Sequence, residues 1–243
     1  GDNNLQLYSQ GTPNGVKVTI LLEELLDLGH SDAEYDAWLI EISKGDQFSS
    51  GFVELNPNSK IPAMLDLTNK KTIRVFESGS ILLYLSKKFE SFFPKNDLEY
   101  AECINWLFWQ MGSTPYLGGG FGHFYNYAPK KYKYAIDRYA METKRQLDVL
   151  NKHLLNKEYI CNDEYTIADM AIWPWYGQLV LGKLYNSENF LDVKSYKNVV
   201  NWAKKINSRP AVKRGKLVNK ISGNEHYRLR ERHSPDDFKK INL

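Results

Sequence analysis

The chain has 243 residues, 42% hydrophobic and 14% aromatic, enough to build a core in one large domain or two small ones. Its net charge of +3, with no long basic run, excludes a charge-driven nucleic-acid binder, and no apolar run reaches the roughly 18 residues that a membrane span needs. Two cysteines, Cys103 and Cys161, supply neither a disulfide framework nor a metal-ligand spacing, so no metal site is expected and a reducing cytoplasm is the expected setting.

The N-terminal residues, GDNNLQLYSQ, lack the basic and apolar regions of a secretory leader. Residues 5–8 alternate apolar and polar side chains and predict a strand. Residues 9–14 read as a turn, with Gly11, Pro13 and Asn14 as its turn formers. A helix is expected over 15–28, with Val18, Leu21, Leu22 and Leu25 on one face and Gly29 as its stop. A second strand-like run covers 35–42, a polar loop 44–50, and a short apolar piece 52–55.

The stretch 56–79, NPNSKIPAMLDLTNKKTIRVFESG, carries the densest information. Its turn delivers the chain into Ile61-Pro62. Strands are expected at 63–67 and 72–76, split by Asn69-Lys70-Lys71, and Glu77-Ser78-Gly79 opens a helix. Pro62 has no N–H for a sheet, which suits an edge or a tight turn and leaves the N–H and C=O of Ile61 facing outward. Those two groups can hold an extended peptide as a neighbouring strand does. Free N–H groups at the helix start attract a carboxylate, Ser78 adds a hydroxyl, and Glu77 can pair with an ammonium. The plain readings are Ser78 as an N-cap and Pro62 as a turn former.

Strands vanish after residue 91. A connector at 89–97 contains Pro94, a helix is expected over 98–110, and the glycines of 118–122 interrupt or end it. Residues 132–155 predict a long amphipathic helix. Thr166 and Asp169 form a capping box with Tyr165 and Met170 as its staple, ahead of a helix over 167–181 that is apolar nearly all round and therefore central. Two further helices are expected over 196–207 and 211–219, separated by Pro210, and the tail beyond Lys220 is polar and mixed in charge.

NPNSKIP followed by FESGSILLYL resembles the thioredoxin-like domain of cytosolic glutathione transferases, and the likeness runs over residues 5–220. It is closest to the bacterial nu class, whose members have disulfide-bond reductase activity; LYSQGTPNGVKVTILLEELL, NWLFWQMG, GGGFGHFYNYAP, DEYTIADMAIWPW and RPAVKRG carry that match. The resemblance implies an α/β plus all-α architecture: a thioredoxin-like N-terminal domain (1–93), an all-helical C-terminal domain (97–220) and a polar tail (221–243). The reactive spot in that fold lies where the first strand meets the first helix, here Gly11-Thr12-Pro13-Asn14. No cysteine stands there, so the thiol must come from glutathione, bound as co-substrate. Thr12 and Asn14 are the expected catalytic pair, donating to a glutathione thiolate that the helix dipole also favours. The plainer alternatives are a turn hydroxyl for Thr12 and an N-cap for Asn14.

By the same resemblance Lys60 meets the glycyl carboxylate, Ile61 binds the cysteinyl backbone in both directions, and Glu77 with Ser78 holds the γ-glutamyl head. Gln47 reaches the glycine end or a second glutathione, and Arg138 contributes across the interface of a homodimer. Near WLFW either Gln110 or Met111 faces the site. The run 118–127 forms a cleft wall rather than a dinucleotide fingerprint, Tyr8 is a packed strand residue, His123 a structural or cleft-lining one, and Cys103 inert core. The expected activity is glutathione-dependent reduction of small disulfides, with weak organic hydroperoxide reduction. The alternatives are a conjugating transferase for small electrophiles and a non-catalytic binding or regulatory protein on the same fold.

Overall fold

The computed structural model describes residues 1–241; Asn242 and Leu243, the end of the expected tail, lie outside the described residues. The chain divides into two compact units, Gly1–Ser91 together with the residues from Arg209 on, and Phe92–Ser208.

In the first unit β1 (Leu5–Ser9), α1 (Pro13–Asp27), β2 (Tyr35–Leu39), α2 (Ser50–Leu55), β3 (Ala63–Asp66), β4 (Ile73–Phe76) and α3 (Ser78–Lys88) follow the expected order. The sheet runs β2-β1-β3-β4. β1 and β2 are parallel, as a strand pair joined by a helical crossover must be, and the remaining pairs are antiparallel. Pro13 starts α1, where its missing N–H does no harm. Gly15 makes that start possible: a Cβ there would sit 2.1 Å from the Gln10 carbonyl oxygen. The helix therefore begins pressed against the end of β1, and no other residue type fits.

Helix α1 is buried along its length from Gly15 to Leu25, charged residues included. The reason lies at the other end of the chain. Helix α9 (Pro210–Gly215) packs against it, with Gly215 so close that a Cβ would meet the Ile20 amide nitrogen at 2.8 Å. Arg209 grips both oxygens of Glu24 at 2.6 and 2.7 Å, and Arg214 bridges Glu23 at 2.8 Å and Asp27 at 2.5 Å. Two bidentate or bridging arginines on carboxylates of which Glu23 and Glu24 are buried fix this helix pair. The sequence reading carried the helical domain to residue 220; the structure groups residues from Arg209 on with the first unit instead.

The tail continues along the same unit. Residues 218 and 229 form a bridge, and Arg232 pairs antiparallel with Ala37, covering the outer edge of β2.

Asp66, at the end of β3, is fully buried and receives Lys88 at 2.5 Å, the Tyr84 hydroxyl at 2.7 Å and the Thr68 amide at 2.9 Å. Burial acts to raise its pKa, but these donors outweigh it and hold the carboxyl down to about 2. The contribution is present above the unfolded value near 4 and is lost as pH falls toward 2. At its full size it is worth about 2 kcal/mol. In urea titrations the stability gap between the wild type and Asp66→Asn is therefore expected to narrow between pH 6 and pH 3; a constant gap would show the shift to be absent.

The second unit is helical: α4 (Asp97–Pro115), α5 (Lys133–His153), α6 (Ile167–Ile172), α7 (Gln178–Val180) and α8 (Lys197–Asn207). The glycines expected to break α4 do not end it; residues 116–127 run on as a widened helix with i→i+5 bonding. Gly120 lies where a Cβ would strike the Tyr139 ring at 2.4 Å. Helix α6 is buried at every residue behind the Thr166/Asp169 capping box. Asp169 also accepts the Ile160 amide at 2.9 Å and the Trp202 indole at 2.8 Å, so one carboxylate ties a loop and α8 to the start of α6. Among the described residues no helix is long and apolar enough to cross a membrane, and no cluster of three or more His, Cys, Asp or Glu is placed to hold a metal ion.

Candidate active site

Strand register brings the functional segments together. Tyr8 on β1 stands opposite Ala63 on β3, Ala63 opposite Phe76 on β4, and Tyr8 beside Trp38 on β2. The Gly11–Asn14 loop leaves β1 at this end of the sheet, and the loop containing Gln47 leaves β2 there. Ile61-Pro62 enters β3 at the same end, and Glu77-Ser78 leaves β4 there. Four segments that are distant in sequence thus converge on one sheet end, the carboxyl end of the parallel pair.

The first loop is braced on both sides. The Gly11 amide donates to the Asn219 carbonyl at 2.8 Å, and the Thr12 amide to the Gln10 carbonyl at 2.6 Å. Thr12 has extended backbone angles and is the N-cap of α1, its Oγ1 accepting the Gly15 amide at 3.3 Å. The capping role weighed for Asn14 therefore falls to Thr12, and Asn14 lies half-buried in the first turn. A threonine hydroxyl has one donor and two acceptor sites. Capping uses an acceptor, so the O–H stays available to donate to an anion at the helix N-terminus, where the dipole favours negative charge.

Asn56 shapes the second segment. It is buried, and its Nδ2 donates to the Lys60 carbonyl at 2.6 Å while its Oδ1 accepts the Asn58 amide at 2.9 Å. This side chain closes the NPNSK turn, a role the sequence reading gave only to the turn as a whole. The Ile61–Pro62 peptide is cis. Strand pairing begins at Ala63, and among the described residues no hydrogen bond reaches the Ile61 amide or carbonyl. The Ile61 side chain packs with Tyr8 on the cluster of Phe52, Leu55 and Ala63, which fits the packed role for Tyr8. Burial, with the Asp36 charge second, raises the Tyr8 pKa and keeps its hydroxyl neutral. Lys60 is exposed beside it.

Glu77 is exposed and sits at φ 69°, in the left-handed region that a side chain enters at a cost of about 1–3 kcal/mol. Such strain persists where the surroundings impose it, commonly at ligand sites. Ser78 behind it is buried, and no side chain caps the N-terminus of α3. Beneath lies Lys17 of α1, 1% exposed, its Nζ donating to the Ser78 Oγ at 3.2 Å. Burial drives the Lys17 pKa down to about 7, and the charge of Glu77 opposes that fall. Lys17 was not among the sequence candidates. The available signal was a lysine in the middle of VKVTILL, inside a helix that a partner at each face leaves no room to expose.

Gln47 is half-buried; its Nε2 donates to the Ile42 carbonyl at 3.3 Å, and its Oε1 is buried with no partner among the described residues. The other two candidates lie in the second unit. Gln110 is buried there with its Nε2 on the Thr114 hydroxyl at 2.6 Å, Met111 beside it is half-buried, and Arg138 is exposed on α5. Both cysteines are free and buried in that unit.

Family models for the glutathione S-transferase N-terminal domain and C-terminal domain match residues 3–87 and 133–205. The chain belongs to the glutathione transferase family. It is 62% identical to the disulfide-bond oxidoreductase YghU of Escherichia coli K12, over 98% of this chain and 83% of that protein. Among solved structures, glutathione transferase YghU from Streptococcus pneumoniae, complexed with glutathione, superposes with a TM-score of 0.89 at 60% identity, over 91% of this chain and 86% of that one. A glutathione transferase from Burkholderia graminis, with two glutathione molecules bound per subunit, gives 0.81 at 38% identity over 88% of each chain.

Proposed function

We propose that this enzyme reduces small disulfides with glutathione, using the thiolate of bound glutathione and no protein cysteine. The observation that carries the reading is chemical: a capped helix N-terminus and the Thr12 hydroxyl stand at the reactive end of the sheet, and the segment holds no thiol of its own. Of the relatives named above, the Escherichia coli protein is named a disulfide-bond oxidoreductase and the Streptococcus pneumoniae transferase is complexed with glutathione.

The Ile61 amide and carbonyl hold the cysteinyl backbone as a short strand, Lys60 meets the glycyl carboxylate, and Glu77 with Ser78 takes the γ-glutamyl zwitterion. Gln47 lies toward the glycine end, where its Oε1 gains a donor. Thr12, with Asn14, donates to the sulfur and lowers its pKa. The thiolate attacks one sulfur of the substrate disulfide; a sulfur–sulfur bond forms to glutathione, the substrate S–S bond breaks, and one thiolate leaves and takes a proton. A second glutathione thiolate then attacks the mixed disulfide at the glutathione sulfur, giving glutathione disulfide and releasing the other substrate thiol. The protein stays redox-silent and supplies position and electrostatics. Weak reduction of organic hydroperoxides follows from the same thiolate. The enzyme works in a reducing cytoplasm as a homodimer, with Arg138 contributing from the partner.

The test is steady-state reduction of 2-hydroxyethyl disulfide by glutathione, coupled to glutathione reductase. Turnover well above the uncatalysed rate is expected. Background turnover together with conjugation of an aromatic electrophile would replace this reading with a transferase one.

A further inference from the structure

Lys17 is a costly residue to keep. An ammonium taken out of water loses a large hydration free energy, and a methionine of similar length would fill the same space without that loss. It lies inside α1, 1% exposed, and its Nζ donates to the Ser78 hydroxyl at 3.2 Å. Ser78 opens α3, whose N-terminus has no side-chain cap, and Glu77 sits beside it in a strained conformation. Three unfavourable features, a buried cation, an uncapped helix and a left-handed glutamate, meet at one place.

We propose that Lys17 is a positioning residue for the γ-glutamyl carboxylate of glutathione, acting through Ser78 from beneath the site. This rests on the glutathione reading above. The charge balance supports it. A γ-glutamyl head brings one ammonium and one carboxylate, and Glu77 neutralises the ammonium. The carboxylate meets the partial charge of the α3 N-terminus, about half a unit. Lys17 supplies the remainder from a low-dielectric position where a charge acts strongly. It also fixes the direction of Ser78. With Nζ donating to Oγ, the Ser78 hydrogen is turned away from the lysine and toward the open N-terminus, where it donates to the incoming carboxylate. The charge of Glu77 favours the ammonium against its burial.

The test compares two ligands on two proteins. Titration calorimetry measures glutathione and its analogue lacking the γ-glutamyl α-carboxylate, 4-aminobutyryl-cysteinyl-glycine, against the wild type and Lys17→Met. The expected result is a loss of about tenfold or more in glutathione affinity, the size of removing one hydrogen bond to a charged group, with analogue affinity unchanged within twofold. Equal losses for both ligands would make Lys17 merely structural, and no loss for either would make it a spectator; each overturns the proposal. A wild type that binds neither ligand would overturn the glutathione reading itself, a distinct outcome. Should Lys17→Met fail to fold, Ser78→Ala carries the same comparison, because Lys17 acts through that oxygen: the selective loss of glutathione must reappear there, and its absence sinks the proposal.

Discussion

Thr12→Ala is expected to lower kcat/KM for disulfide reduction by about 10- to 100-fold, the value of one hydrogen bond to a charged group, about 1.5–3 kcal/mol. The side chain has two jobs, so the experiment must separate them. As N-cap it satisfies the Gly15 amide, and its loss costs about 1 kcal/mol of stability. As donor it stabilises the thiolate over the thiol, which lowers the thiol pKa. Removing the donor raises that pKa by about 1–2 units, since one unit is about 1.4 kcal/mol. The rising limb of the pH–rate profile then moves to higher pH by the same amount, and the deficit shrinks where the thiol is already ionised. A capping defect alone lowers the melting temperature without moving the profile. Thr12→Ser keeps both the acceptor and the donor and should recover most of the rate. A Thr12→Ala enzyme with the wild-type profile would remove Thr12 from the chemistry and leave it a cap.

The parts of this fold that were legible in the sequence are those whose signals are local. The NPNSKIP turn, the Glu77-Ser78 helix start and the Thr166/Asp169 capping box each combine turn or cap chemistry with the adjoining hydrophobic period, and each is present at the expected residues. Where local signals had two meanings, sequence could not choose. Thr12 and Asn14 are both good N-caps in GTPNG, and only the close approach of Gly15 to β1 decides that the helix starts after Thr12. The glycines at 118–122 look like breakers, yet Gly120 and its neighbours serve close packing within a widened helix.

What was not legible depended on partners far along the chain. Glu23 and Glu24 look like the wet face of an amphipathic helix until Arg209, Arg214 and Arg232 arrive from some 190 residues away and bury them. A charge run in a helix is therefore read correctly only when its counter-charges are known. Here Arg209 and Arg214 sit on the short helix α9, and Arg232 in a polar tail with no hydrophobic period of its own to announce a fold.

That tail sets the second large expectation. Arg232→Ala should destabilise the first unit by about 3–5 kcal/mol, the range for stripping one partner from a buried ion pair, and lower Tm by roughly 6–20 °C. The Arg232 side chain is fully buried, and its guanidinium donates to Glu23 at 2.9 Å, to the Tyr35 carbonyl at 3.0 Å and, in a very short contact, to Glu34. It stacks 4.0 Å from the Tyr35 ring centre and also faces Phe238. Burial opposes its charge, and the surrounding tyrosine and carboxylates overcome that and raise its pKa. Removing it leaves Glu34 without that donor and Glu23 held by Arg214 and the Tyr35 hydroxyl alone, which moderates the loss. The adjacent Arg230 is the control. It meets Glu41 at 3.2 Å on the surface with most of its side chain in water, so Arg230→Ala should stay within about 0.5 kcal/mol. A loose tail would make the two substitutions equally mild. The effect also reaches the chemistry by a short path. Asn219 holds the Gly11 amide with its carbonyl, while its Nδ2 donates to the Ala37 and Arg230 carbonyls, so the tail, the β2 edge and the Thr12 loop share one residue. Detaching the tail loosens the loop that aims Thr12. Arg232→Ala should therefore lower turnover even at temperatures where the protein remains folded, and Arg230→Ala should not.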